Sequence, residues 1–247
     1  MVTTAVILHA FPPLTRARLL KRYKRFLADV VLLDGPRAGE EVTIHCPNPG
    51  AMTGLAEPDW EILLAPGKGK LPYSWEITCL PDGSFAGINT GHPNRIAEAA
   101  ISAGLIPELA GYTSLRREVR YGTNSRIDLL AESPDRPPCY IEVKNVHLMR
   151  QTGLAEFPDC VTTRGAKHLF ELAAQVRAGA RAAMLYILQR NDCDAFALAA
   201  DIDPGYAQAF RDARAAGVEA FAYACDVSPE GVKLKAKVPV LNAVQEV

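Results

Sequence analysis

The chain carries 28 acidic and 27 basic side chains among 247 residues, with a net charge of −1 and an apolar fraction of 49%. That composition describes a globular protein with a proper core and excludes a disordered or uniformly polyanion-wrapping chain, so nucleic-acid binding would need a local basic patch. Six scattered cysteines without a C-x-x-C pair, no bilayer-length apolar run, and a start lacking a basic leader and cleavage site predict a reduced, cytoplasmic protein without a membrane partner.

In chain order, "TRARLLKRYKRFLADV" comes first and concentrates Arg16, Arg18, Lys21, Arg22, Lys24 and Arg25 against one acid, with Tyr23 and Phe26 interleaved. Bases beside aromatic platforms suit a strand of phosphates and bases, and Arg22, Lys24 and Arg25 are the contacts expected here. Short β-branched or alternating runs follow, punctuated by Pro and Gly: "FLADVVLL", "EEVTIHC", "WEILLAP", "SWEITCL" and "SFAGIN". Five short strands with almost no helical periodicity predict a small OB-fold-like barrel over residues 1–90. Within it, "HCPNPGAMTG" sets His45 beside Cys46. Neighbours on a strand point to opposite faces, so they read as structural rather than as a nucleophile pair. "APGKGKLP" is a lysine-bearing loop without the phosphate-cradling pattern of a P-loop.

From residue 91 the period changes. "NRIAEAAISAGLIPELAG" is helical, with Ile96, Ala99, Ala100 and Leu105 on one face and Asn94 as a cap. Strand-like "LRREVRYG", "SRIDLLAE" and "CYIEVKNV" come next, then a helix over "TTRGAKHLFELAAQVRAG" that Gly179 ends. The strand "AAMLYILQ" is apolar throughout, "PGYAQAFRDARAAG" is a third helix opened by Pro204, and "VEAFAYACDV" is a further strand. The resulting α-β-β-β-α-β-α-β order predicts an α/β sandwich around a mixed sheet over residues 91–247.

Strand alternation places Glu142 and Lys144 on one face, and Asp128 lies on the preceding strand. If those strands pair, two carboxylates converge with a lysine. This is a hard-oxygen set suited to Mg2+ or Mn2+, with an ammonium to hold water or phosphate. Arg164, His168, Glu171 and Gln175 fall on one stripe of the following helix, where they could flank the ion or contact phosphate. His9, His92 and His147 show no zinc-ligand spacing. The element order, with Asp on the second strand and E-x-K on the third, resembles the PD-(D/E)xK restriction-endonuclease-like superfamily.

Taken together, "KRYKRFLADV", "HCPNPGAMTG", "INTGHPNR", "SRIDLL", "CYIEVKNV", "FPDCVTTRGAKHL" and "IDPGYAQAFRDARAAGVEAFAY" resemble the sugar fermentation stimulation protein family over roughly residues 12–240. The resemblance implies an OB-like domain followed by a nuclease-like one, non-specific DNA binding, and a regulatory link to sugar (maltose) use. It also implies metal ligation by Asp128 and Glu142 with Lys144 completing the catalytic set. The superfamily's further acid corresponds to Glu98 or Glu118. Arg164 and His168 join Arg22, Lys24 and Arg25 as expected nucleic-acid contacts. Pro49, Cys160 and Thr163 depart from the family's usual threonine, alanine and glutamate. Two other readings share these residues: a non-catalytic DNA-binding regulator, and a metal-dependent phosphodiesterase acting on RNA or nucleotides. A homodimer is compatible with all three.

Overall fold

The computed structural model describes residues 6–122 and 125–241. Strand β1 (Ile7–Ala10) is followed by β2 (Thr15–Tyr23), β3 (Leu27–Leu32), β4 (Glu41–His45), β5 (Glu61–Pro66), β6 (Tyr73–Cys79) and β7 (Phe85–Gly87). Alternation decides their inner face: Ala17 and Leu19, Ala28 with Val30 and Leu32, Ile44, Ile62 with Leu64, and Trp75 with Ile77 are all buried. The ladder runs β4-β3-β2-β5-β6, and a parallel β4–β6 pairing at His45 and Ser74 closes it. Five strands closed in that order form an OB-fold. The basic segment forms β2, a strand that the sequence pattern hides because its charges mask the Ala17–Leu19 alternation.

The remaining elements are α1 (Pro93–Ser102), β8 (Ser114–Tyr121), β9 (Ser125–Ser133), β10 (Arg136–Val146), β11 (Leu148–Gln151), β12 (Gly153–Phe157), α2 (Thr163–Arg177), β13 (Arg181–Leu188), β14 (Cys193–Leu198), α3 (Pro204–Ala215), β15 (Glu219–Ser228), β16 (Gly231–Val238) and β17 (Val240–Leu241). A seven-stranded sheet has the order β1-β16-β15-β13-β10-β9-β8. Within it β10, β13 and β15 are parallel, and β8-β9-β10 form an antiparallel meander. Strand β1 therefore pairs with the second sheet, not the barrel, and residues 7–10 interlock the two halves.

Helix α1 covers one face of this sheet through Ile96, Ala97, Ala100 and Ile101. Helices α2 and α3 cover the other through Leu169, Leu172, Tyr206 and Phe210. Each such leucine contributes roughly 2 kcal/mol by leaving water. Strand β13 alternates Met184 and Tyr186 into one core with Leu185 and Ile187 into the other, which explains its unbroken apolar run. Thr162 caps α2 by accepting from the Gly165 amide, and Asp203 caps α3 by accepting from that of Tyr206. A small sheet, β11-β12-β14-β17, flanks this core. Among the described residues no helix is long and apolar enough to cross a membrane.

Candidate active site

The β9–β10 register ends at Leu129 opposite Ile141. One position further the backbones part, and the Asp128 side chain fills the gap. Its Oδ2 accepts from the Val143 amide at 2.8 Å and its Oδ1 from Asn94 Nδ2 at 2.8 Å. Asn94 thus serves Asp128 instead of capping α1, whose N-cap is His92 with no side-chain cap bond. Burial, reinforced by the nearby charge of Glu142, raises the Asp128 pKa above the ordinary carboxyl value.

Glu142 lies on the central strand β10, paired through Met184 with β13, and its side chain is 2% exposed. Its Oε1 accepts from Lys144 Nζ at 2.6 Å and is also bonded to His168 Nδ1. Burial pushes the Glu142 pKa upward, but Lys144 and His168 outweigh it and leave the group below its ordinary value. The other oxygen, Oε2, is buried without a hydrogen-bond partner. The two carboxyls are thus driven in opposite directions, a pattern that assigns different proton affinities to two acids in one site.

Helix α2 closes this side of the sheet. Arg164 Nε approaches His168 Nε2 at 3.4 Å, which makes Nε2 the acceptor and leaves Nδ1–H to donate to Glu142. One turn on, both carboxylate oxygens of Glu171 are buried without hydrogen-bond partners, with Lys167 Nζ 3.6 Å from Oε1. The hydroxyl of Tyr121 is buried and unpartnered too. Burial, then the charges of Glu142, Glu171 and Asp128, raise its pKa. A Cβ at Gly122, where φ is +53°, would lie 3.0 Å from Glu171 Oε1, so glycine fits this corner with least strain. Buried carboxylate oxygens without donors are costly, and several in one corner are the feature a hard cation relieves. Among the described residues, no group of three His, Cys, Asp or Glu side chains is arranged to hold a metal ion.

The structure brings Asp128, Glu142, Lys144, His168 and Arg164 together. His168, expected at a nucleic-acid surface, is instead buried against Glu142. Glu98 points to Arg117, 3.6 Å away, and Glu118 is exposed on backbone with φ +53°. No sequence pattern marks Tyr121, Asn94 serves Asp128 and not a cap, and only the α2 stripe signals Glu171.

The N-terminal bases separate into two groups. Arg16 pairs with Glu61, Arg18 with Asp59, and Lys21 with Asp29. Arg22 donates to the carbonyls of Arg25, Asn48, Gly50 and Ala51, so it braces a loop and does not face a ligand. Lys24 and Arg25 remain exposed at the β2–β3 turn. The cross-strand neighbours Arg120 and Arg126, by contrast, are both exposed beside Tyr121 and line a depression of 450 Å³.

Two family models match the chain: an SfsA N-terminal OB domain over residues 20–88 and a sugar fermentation stimulation protein RE domain over residues 91–231. A sugar fermentation stimulation protein homolog from Azorhizobium caulinodans is 54% identical over 239 residues, covering 94% of this chain and 99% of the relative. One from Maricaulis maris is 57% identical over 222 residues, covering 89% and 92%. The structure of Pyrococcus furiosus SfsA in complex with Ca2+ superposes with a TM-score of 0.84 at 28% identity, covering 96% of this chain and all of that one.

Proposed function

The chain belongs to the sugar fermentation stimulation protein family, and from that premise we propose a cytoplasmic, non-specific DNA-binding protein with a divalent-metal-dependent nuclease site. The observation that carries this reading is the buried, unpartnered Oε2 of Glu142 beside Asp128. The α1, β8-β9-β10, α2 order, with Asp128 on the second strand and Glu142 and Lys144 on the third, supports a restriction-endonuclease-like PD-(D/E)xK domain. The Ca2+ complex of the Pyrococcus furiosus relative supports a hard dication.

Asp128 and Glu142 would hold Mg2+ or Mn2+, which when bound neutralises charge on a phosphate and acidifies water. The chain's own residues supply the rest. His168 and the β10 backbone fix the Glu142 carboxylate, while the Val143 amide and Asn94 fix that of Asp128. Lys144, partly exposed and bonded to Glu142, would orient a water and hold a phosphoryl oxygen. Arg120 and Arg126 face each other across the β8–β9 ladder, and neither has an ion-pair partner among the described residues. Like charges directly opposite destabilise a sheet. A phosphate backbone offsets that cost, and with Arg164 they form the DNA-holding surface.

The test is incubation of purified protein with single- and double-stranded DNA, and with RNA, in Mn2+ or Mg2+. Cleavage should vanish in Glu142→Ala and in Asp128→Asn. Cleavage that survives Glu142→Ala would remove the site assignment. Intact substrates of every kind, with DNA binding retained, would leave a non-catalytic regulator in which Lys144 and His168 hold the Glu142 carboxylate without a metal.

A further inference from the structure

A second site lies where the barrel meets α1. The β5–β6 loop, β1 and the first turn of α1 enclose a cavity of about 870 Å³, within the size range of small-molecule sites. It is distinct from the acid cluster but adjoins it, since Asn94 reaches Asp128 while Arg95 lines the cavity.

Three features of the lining define a ligand. First, Lys68, Lys70 and Arg95 are exposed on its rim, and Glu76 is the only acid among its lining residues. The charge balance calls for an anion. Second, one wall is aromatic: the His9 and His92 rings lie 3.9 Å apart at 34°, with Phe11 edge-on to His9 at 5.2 Å and 85°. Burial, then the neighbouring His92, lowers the His9 pKa to about 4, so at neutral pH this ring is an uncharged stacking surface. Third, the Glu76 side chain is 6% exposed and held rigidly. Its Oε2 accepts from Asn89 Nδ2 at 2.8 Å and is bonded to His92 Nε2 at 2.6 Å, while Oε1 takes neither bond. A fixed carboxylate in an aromatic wall selects a flat ring carrying N–H donors. Nucleotides join such a ring to a phosphate.

We propose that this cavity binds a nucleotide, with its base against His9, Phe11 and His92, its donor edge on Glu76, and its phosphate on Lys68, Lys70 and Arg95. The site stands whether or not the acid cluster cleaves DNA. The nucleotide is either free or the terminal residue of a strand.

Calorimetry on the full chain in EDTA tests this with AMP, GMP, CMP and UMP, their nucleosides, inorganic phosphate, and a 5′-phosphorylated dinucleotide. At least one mononucleotide should bind. Its nucleoside should bind about tenfold more weakly, as should the mononucleotide to Lys68→Ala/Lys70→Ala, the loss expected for a charge-assisted contact. Both lysines are exposed, so the double variant should keep its melting curve. Glu142→Gln should keep the affinity. A mononucleotide binding as tightly as the dinucleotide identifies the free form, and a tighter dinucleotide identifies a strand end. The proposal is overturned if no mononucleotide binds at millimolar concentration, or if inorganic phosphate binds as well as every nucleotide. Affinity unmoved in the double lysine variant, or abolished by Glu142→Gln, overturns it too.

Discussion

Replacing Arg22 with alanine should destabilise the protein without weakening DNA binding. The guanidinium donates from Nη2 to Arg25, Asn48 and Gly50 at 3.0, 2.8 and 2.8 Å, and from Nη1 to Ala51 at 3.3 Å. Those carbonyls shape the loop through which the barrel meets the second half. Asn48 Nδ2 donates to the Ile88 carbonyl, and the Ala51 amide donates to Asp159. A hydrogen bond from a charged donor contributes about 1.5–3 kcal/mol. Three of these bonds share one nitrogen, the fourth is long, and Nε is buried without a partner, so roughly two bonds' worth is lost, about 3 kcal/mol. Urea unfolding reads this directly: with an m-value of roughly 3 kcal/mol per molar, the midpoint should fall by about 1 M. Arg22→Lys should recover little, because an ammonium cannot span carbonyls that the planar fork reaches together. A loss below about 0.5 kcal/mol, within the range of an ordinary surface substitution, combined with a clear fall in DNA affinity would refute the reasoning and return Arg22 to the phosphate surface.

The proposed DNA-holding face yields a second prediction. Arg120→Ala/Arg126→Ala should reduce the slope of log affinity against log salt by about 2, since each duplex phosphate contact contributes roughly 0.9, as measured by fluorescence anisotropy. Lys24→Ala/Arg25→Ala should move it less. Acid stability yields a third. Burial alone would raise the Asp159 pKa, but the His147 ring outweighs it and brings the group from 3.8 to about 2. A depressed carboxyl pKa stabilises the fold above its unfolded value and loses that contribution as pH falls through the folded one. Asp159 should therefore contribute about 2 kcal/mol above pH ~4, lost progressively toward pH ~2. Asp159→Asn should flatten that limb of the curve of urea-unfolding stability against pH. Finally, Tyr121→Phe removes a buried hydroxyl that has no partner, so the metal-free protein should keep its stability or gain about 1 kcal/mol in urea unfolding.

The sequence carried the coarse architecture well, because hydrophobic period is a local property. Strand β13 reads as a strand buried on both faces, and Gly179 and Pro204 mark the end of α2 and the start of α3 in plain view. Strands whose apolar positions are interrupted by charge are hidden from such a reading, among them β2 with Arg16, Arg18, Lys21 and Arg22 and β16 with Lys233, Lys235 and Lys237. The pairing of β1 with β16 joins segments more than 200 residues apart, which no local pattern encodes. That Asp128, Glu142 and Lys144 lie close together was legible because alternation and element order constrain them together. Asn94 was misread because an Asn before an apolar helical run looks like a cap, and only the parting of β9 from β10 reveals its acceptor. Arg22 and His168 were misassigned for a related reason. Charge identifies a side chain that needs a partner, but not whether that partner belongs to the chain or to a ligand.

The central claim is that Asp128 and Glu142 share a divalent cation, and anomalous diffraction from crystals grown with Mn2+ tests it most directly. A peak is expected at bonding distance from an Asp128 carboxylate oxygen and from Glu142 Oε2, lost in Glu142→Gln. A Mn2+-saturated crystal with no peak there, or with one unchanged by that substitution, would contradict it.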